Sequence, residues 1–335
     1  MNSKELLKDL ISFNTINDQD NQKMIDYIEK YLKKIGFKTE YKTKCLVMSN
    51  KDDCELGFLG HTDTVSYSQN WKTSPFELTE INGNLYGLGT SDMKGSIAAF
   101  LSTVSKIDWN KMKKGIKVYF TYDEEIGFSG VNELVKQETI FPNYMIIGEP
   151  TCNKIINASK GLLEIKITFE GIASHSSTPE EGVNAIEKSI TFIQKLQKYY
   201  KILQKEILDS RKITMNVGVI KGGTTMNIVP DKCEVFIDFR TITKIQNKKI
   251  INKISQLLDF DDSFEIINNI EPFSNNDEKI IMSDFITEAS LINAYKKYIL
   301  GVGPVNAHKK DEFISIESLK KLEEQYYSLI EEKCK

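Results

Sequence analysis

The chain has 335 residues, 40% of them apolar, and 44 basic against 47 acidic side chains leave a net charge of −3. At roughly 150 residues per domain, that length predicts about two domains, each large enough for its own core. Charge this balanced and dispersed gives no electrostatic footprint for nucleic acid or an anionic membrane, and no run of about 18 apolar residues offers a helical span. The five cysteines, Cys45, Cys54, Cys152, Cys233 and Cys334, include no close-spaced pair. They argue against a zinc finger or a disulfide framework and for the reduced thiols of a cytoplasmic protein.

Leu6, Leu7, Leu10 and Ile11 recur at helical spacing in MNSKELLKDLISF, so this stretch reads as an amphipathic helix rather than a signal peptide. A second helix is predicted over about 20–35, with Gly36 at its C′ position. The strand-like runs KTEYK, KCLVMS and ELGFLG follow, and ELTEINGNLYG predicts a hairpin that turns at Asn82 and Gly83. A helix led by Asp92 to about 107, the strand IKVYFTY, the helix GVNELVKQ and the strand NYMIIGEP continue the alternation. Such alternation predicts an α/β sheet with covering helices.

The rhythm changes after about residue 158. LLEIKITFEG, a long helix over about 183–208, TMNVGVI, CEVFIDFRTI, a helix over about 244–258 and FEIINNI make a βαββαβ order, that of a small two-layer sandwich. YILGVGP and a helix from about 315 read as a return to the first domain. The expected division is therefore 1–158 with 273–335, and an insertion over 159–272. The lysine-rich helices at 194–205 and 319–333 carry mixed charge and read as solvated faces.

Only three histidines occur, His61, His175 and His308, each beside glycine, small or acidic residues. GFLGHTDTV is an apolar run that ends on His61, with Asp63 two residues on, close enough to orient the imidazole as carboxylates do for metal-bound histidines. A plain strand-end hydrogen bond would look the same. Asp92 follows a glycine-rich turn, either as a helix cap or as a carboxylate on a stiff turn that bridges two cations. Glu149 ends YMIIGE, with Pro150 behind it, and FTYDEEIGF sets Asp123, Glu124 and Glu125 after an apolar strand. Acids are seldom buried without a partner, and sites in open α/β sheets lie beyond the carboxyl ends of the strands. Several such endings converging on one edge predict a metal site. Arg240 closes CEVFIDFR, in a strand-end salt bridge or as a fork for a carboxylate.

Taken together, GHTDTV, WKTSPFELTEINGNLYGLGTSDMKGSIAAF, TYDEEIGFSG, IGEPT, ASHSSTPEEGVNAIE, GGTTMNIVP with IDFR, and GPVNAHKKDEF cover essentially the whole chain. In that order they resemble the dizinc amidohydrolase and metallopeptidase family of acetylornithine deacetylase and succinyl-diaminopimelate desuccinylase. The resemblance implies an α/β fold: a catalytic domain with a central mixed sheet flanked by helices, plus an inserted two-layer α+β, ferredoxin-like domain for dimerisation. It implies two Zn²⁺ per subunit, with Co²⁺ or Mn²⁺ as substitutes. Asp92 bridges them; His61 and Glu149 complete one site, Glu125 and His308 the other. It further implies that Asp63 orients His61 and that Glu124 is the general base. His175 acts on the substrate carbonyl from the other subunit of a homodimer, and Asn227 and Arg240 hold the substrate's carboxylate.

GEPT with ASKG, SHSSTPEEGVNAIE and ITEAS look nearer to the deacetylases than to the desuccinylases. They point to hydrolysis of N-acetyl-L-ornithine, a step of arginine biosynthesis, with a desuccinylase or a dipeptidase or carboxypeptidase as the alternative. The chain departs from the family between EPFSNNDEK and FITEAS, where the family has a helix and a strand and only a few residues stand here. No implied ligand lies in that gap.

Overall fold

The computed structural model describes residues 1–17, 19–137, 140–206, 211–275, 277, 279–304 and 306–335. In chain order the first elements are α1 (Ser3–Ile11), α2 (Asn21–Lys34), β1 (Lys38–Lys42), β2 (Leu46–Ser49) and β3 (Cys54–His61). Then come β4 (Thr79–Ile81), β5 (Asn84–Tyr86), α3 (Gly95–Val104), β6 (Gly115–Thr121), α4 (Ser129–Gln137), β7 (Tyr144–Ile147) and β8 (Ala158–Ser159). The middle of the chain holds β9 (Gly161–Glu170), α5 (Ala185–Lys205), β10 (Thr214–Gly222), β11 (Lys232–Thr241), α6 (Lys244–Leu257) and β12 (Ser263–Ile270). It closes with β13 (Phe273–Ser274), β14 (Met282–Ser283), β15 (Lys296–Ile299), β16 (Phe313–Ser315) and α7 (Ile316–Cys334). The long helix predicted to 208 is described to Lys205, and positions 207 and 208 lie outside the described residues.

The chain divides into two compact units, residues 1–158 with 275–281 and 287–335, and residues 159–274 with 282–286. In the first unit a six-stranded sheet has the order β1-β2-β6-β3-β7-β15. β6, β3, β7 and β15 run parallel, while β1 and β2 are antiparallel, so the sheet is mixed. β3 is buried from Leu56 to His61, as expected of a central parallel strand covered on both faces. α1, α2, α3 and α7 pack their apolar residues onto the sheet in one core. The predicted hairpin is β4–β5, with Asn82 and Gly83 both at positive φ, the backbone a type I′ turn needs.

A Cβ on Gly60 would lie 2.8 Å from the Met93 Cε and one on Gly148 2.3 Å from it. The two bare positions, near the carboxyl ends of β3 and β7, admit a buried methionine, and Met93 carries its neighbour Asp92 to the same sheet edge.

The second unit contains the four-stranded antiparallel sheet β10-β11-β9-β12. α5 and α6 bury Phe192, Leu196, Ile250 and Ile254 against β9 and β11, which completes a two-layer α+β sandwich in βαββαβ order. Among the described residues no helix is long and apolar enough to cross a membrane.

Candidate active site

Five chain segments of the first unit bring His61, Asp92, Glu124, Glu125, Glu149 and His308 together. His61 is the last residue of β3 and is wholly buried. Its Nδ1 lies 3.1 Å from the Asp63 backbone oxygen and 3.5 Å from Asp63 Oδ1. A carbonyl only accepts, so Nδ1 carries the proton and Nε2 faces the carboxylates. Nε2 is 3.1 Å from Asp92 Oδ1 and 3.8 Å from Glu149 Oε1. Burial opposes the charged imidazole, but Asp63, Asp92 and Glu149 outweigh it and hold the His61 pKa well above its usual value.

Asp92 does not cap the helix it was expected to lead. Helix α3 begins at Gly95, and Asp92 has φ −129° and ψ 97° in the turn before it. Its backbone is committed to that turn, leaving the carboxylate free to lie between two histidines. Oδ1 meets His61, and Oδ2 lies 3.7 Å from His308 Nε2.

After β6 the chain enters a turn in which Asp123 and Phe128 have positive φ. Asp123 bonds Ser129 at 2.5 Å, and its backbone oxygen accepts from Gly127 and Phe128, so it shapes the turn. Glu125 accepts from His308 Nε2 at 2.8 Å. Burial raises the Glu125 pKa although His308 pulls it down, and the Glu125 carboxylate raises that of His308. Burial, then neighbouring acids, push Glu124 and Glu149 well above the carboxylate range, with His61 opposing both. Glu149 Oε1 is buried without a hydrogen-bond partner.

One donor atom from each of His61, Asp92 and Glu125 can be chosen so that all lie within 4.8 Å of one another, and the same holds for His61, Glu124 and Glu149. These residues can hold a metal. Carboxylate and imidazole donors suit Zn²⁺, Co²⁺ or Mn²⁺, and several acids at one buried edge with an orphaned oxygen on Glu149 are what a cation relieves. Glu124, expected only as a base, thus stands at ligand distance from His61 and Glu149. Beside this cluster lies a hollow of about 350 Å³ lined by the acids Asp63, Asp123 and Glu125, by Asn17, Thr64 and Ser66, and by the apolar Val65 and Ile126.

His175, Asn227 and Arg240 lie in the second unit. The Ser177 backbone N–H donates to His175 Nδ1 at 3.1 Å, so the neutral ring carries its proton on Nε2. Asn227 is exposed, takes a bond from the Thr225 hydroxyl and joins Ser176 through its backbone oxygen. Ser176, Thr225, Met226 and Ile228 help line a hollow of about 540 Å³. The Arg240 guanidinium pairs with Asp238, Nε and Nη2 each at 3.1 Å, the salt bridge that was one of its two readings.

Three buried residues escaped the sequence reading. Glu312 accepts backbone N–H bonds from Gly89 at 2.9 Å, Ser91 at 2.7 Å and Asp92 at 3.1 Å, and burial pushes it up to about 7. Glu288 is fully buried, and neither carboxyl oxygen makes a hydrogen bond of ordinary geometry. Lys94 is 1% exposed, donates to the Phe13 carbonyl at 2.9 Å, and is pulled down to about 7 by burial. The motifs HKKDEF, ITEAS and SDMKG contain them, but no local pattern marks a charge as buried.

The profile of peptidase family M20/M25/M40 matches residues 57–332. An acetylornithine deacetylase of Pasteurella multocida (strain Pm70) is 30% identical, with 95% of this chain and 92% of that one covered. One of Buchnera aphidicola subsp. Schizaphis graminum is 31% identical, with 96% and 94% covered. Among solved structures, the aminopeptidase PepT of Bacillus cereus ATCC 10987 superposes with a TM-score of 0.82 at 20% identity, covering both chains fully. The YXEP protein of Bacillus subtilis, described as a dinuclear metal binding peptidase of the M20 family, gives 0.74 at 13% identity, with 99% and 98% covered. The two structures carry the fold alone; with the profile match and the sequence relatives, the chain belongs to peptidase family M20/M25/M40 and is a hydrolase.

Proposed function

We propose that the protein is a metal-dependent amidohydrolase that cleaves N-acetyl-L-ornithine to L-ornithine and acetate in the cytoplasm. The observation that carries the metal centre is Asp92, whose two oxygens face His61 at 3.1 Å and His308 at 3.7 Å from different segments. His61, Asp92 and Glu149 would hold one Zn²⁺, and Glu125, Asp92 and His308 the other, with Co²⁺ or Mn²⁺ as substitutes. Bound there, the cations supply Lewis acidity, which acidifies water and polarises the scissile carbonyl. Three protein ligands at each would leave a position open for chemistry.

Glu124 takes the proton of the attacking water and returns it to the leaving amine. Asp63 holds His61 in its Nδ1–H form, so that Nε2 serves as ligand. His175 carries its proton on Nε2 and donates it to the carbonyl oxygen, a contribution of about 3 kcal/mol by analogy with other oxyanion donors. It does so from the partner subunit of a homodimer joined through the inserted domain, 159–272, while 1–158 and 273–335 form the metal-binding domain. Asn227 and Arg240 hold the substrate's carboxylate, Arg240 by exchanging Asp238 for it.

The substrate rests on the two deacetylase relatives, 30–31% identical over more than nine-tenths of each chain. The acid-lined hollow beside Asp63 and Glu125 supports it, since it suits the ammonium of an ornithine side chain. The test is turnover by metal-free and Zn²⁺-loaded protein of N-acetylornithine, N-succinyl-diaminopimelate and a dipeptide panel. Zn²⁺-dependent release of ornithine is expected; rapid cleavage of another amide with no ornithine released overturns the substrate.

A further inference from the structure

Gly89, Ser91 and Asp92 belong to one turn, in which Gly89 has φ +83° and Asp92 leaves helical dihedrals. Their three N–H groups converge on one spot, as in the nests that bind anions. The anion here is a side chain: Glu312 Oε1 accepts from Ser91 and Asp92, and Oε2 from Gly89. The Glu312 backbone oxygen also accepts from the Gly87 N–H at 3.1 Å, and the next residue, Phe313, pairs with Tyr86. Glu312 is 2% exposed, so water does not compete for these donors.

His308 stands four residues earlier on the same loop. That loop meets Asp92 twice, His308 Nε2 at the carboxylate and Glu312 Oε1 at the backbone amide. We infer that Glu312 is a positioning residue that fixes the distance between Asp92 and His308, so that a cation shared by them finds both in place. This rests on the two-cation reading of the site. Removing the carboxylate leaves three buried N–H groups without an acceptor, and the turn can then relax away from the loop that carries His308. No other buried carboxylate of the cluster accepts from this turn among the described residues.

Glu312→Gln tests this with little change in shape. Its amide oxygen can still face Ser91 and Asp92, but its NH₂ then opposes the Gly89 N–H. Zn²⁺ titration by calorimetry of the metal-free wild type and variant is the main measurement, with thermal unfolding of both metal-free proteins beside it. The expected result is a variant that melts within about 5 °C of wild type. It binds the first Zn²⁺ unchanged and the second about 10–100-fold more weakly. Excess Zn²⁺ restores its turnover, whereas Glu124→Gln is not rescued.

Equal affinities for both ions in wild type and variant overturn the inference while leaving the metal centre intact. A wild type that takes up no second ion overturns the two-cation reading and this inference with it. If Glu312→Gln does not fold without metal, Glu312→Asp, which keeps the charge on a shorter arm, is measured in the same way. Failure of both to fold makes the residue structural and overturns the inference.

Discussion

Asp63 accepts a hydrogen bond from the backbone amide of Glu125 at 3.1 Å while its other oxygen faces His61 Nδ1 at 3.5 Å. The Glu124 amide turns toward the same carboxylate. Although burial works against it, contact with His61 and these amides keeps Asp63 below the usual carboxylate pKa. One side chain thus ties the end of β3 to the turn after β6, two segments that neighbour each other through the parallel β3–β6 pairing.

Asp63→Ala is expected to disturb both ends of that tie. Zn²⁺ affinity should fall about 10–100-fold, the range for lost partners of metal ligands, with the fold kept. Metal titration followed by circular dichroism checks it; unchanged affinity would show that His61 is oriented by the Asp63 backbone oxygen alone.

The adjacent glutamates should separate by function. Glu124→Ala is expected to keep two Zn²⁺ and lose about 10²–10⁴ in kcat, the contribution of a general base. Glu125→Ala should lose one ion, because it is the residue paired with His308. Metal content by elemental analysis and kcat on the same samples decide. Equal metal loss in both would mean that Glu124 is itself a ligand, as its distance from His61 and Glu149 allows.

Glu288 makes the metal-free protein sensitive to pH. Burial pushes its carboxyl up to about 7, against roughly 4.3 in an unfolded chain. Between those values the folded state holds a proton that the unfolded chain releases. The group's contribution is therefore complete below about pH 4.3 and is lost as pH rises through about 7, by about 4 kcal/mol in all. Glu288→Gln should gain on wild type by that order between pH 4.5 and 8 in urea unfolding of metal-free protein. A constant difference across that range would place the titration elsewhere.

His175→Ala should leave metal content unchanged and lower kcat by about 10²–10³, as removal of one oxyanion donor does. If the residue serves the other subunit, mixing His175→Ala with Glu124→Ala protein should restore part of the activity. Mixed dimers without activity would assign the whole site to one chain.

Gly301 packs against the backbone at the Glu149 end of the site. A Cβ there would lie 2.2 Å from the Glu149 backbone oxygen and 2.5 Å from that of Gly148. Gly301→Ala should therefore cost about 1–3 kcal/mol, the usual range for overpacking, and weaken metal binding by shifting Glu149. Chemical unfolding and metal titration read the two effects separately.

His61, Glu149 and the pair Glu124–Glu125 were legible because each follows an apolar strand directly, where a polar residue is out of place unless it does something. Asp92 was legible as a residue but not as a conformation: its place after a glycine turn reads as a helix cap, and only packing of Met93 against Gly60 and Gly148 shows why the helix starts later. Arg240 at a strand end is compatible in sequence with a salt bridge or a carboxylate fork, and its pairing with Asp238 two residues away on the same strand face gives the salt bridge a definite geometry.

By itself the sequence determined the order of the main elements and the candidates for chemistry, because periodicity, turn residues and acids after apolar runs are local properties. The tertiary structure alone decided which oxygen meets which nitrogen. It also decided that the ionisable groups of Glu312, Glu288 and Lys94 are buried. Burial is a property of what packs around a residue, and hydrogen bonds between Asp92 and a loop some 220 residues away leave no trace in the spacing of either segment.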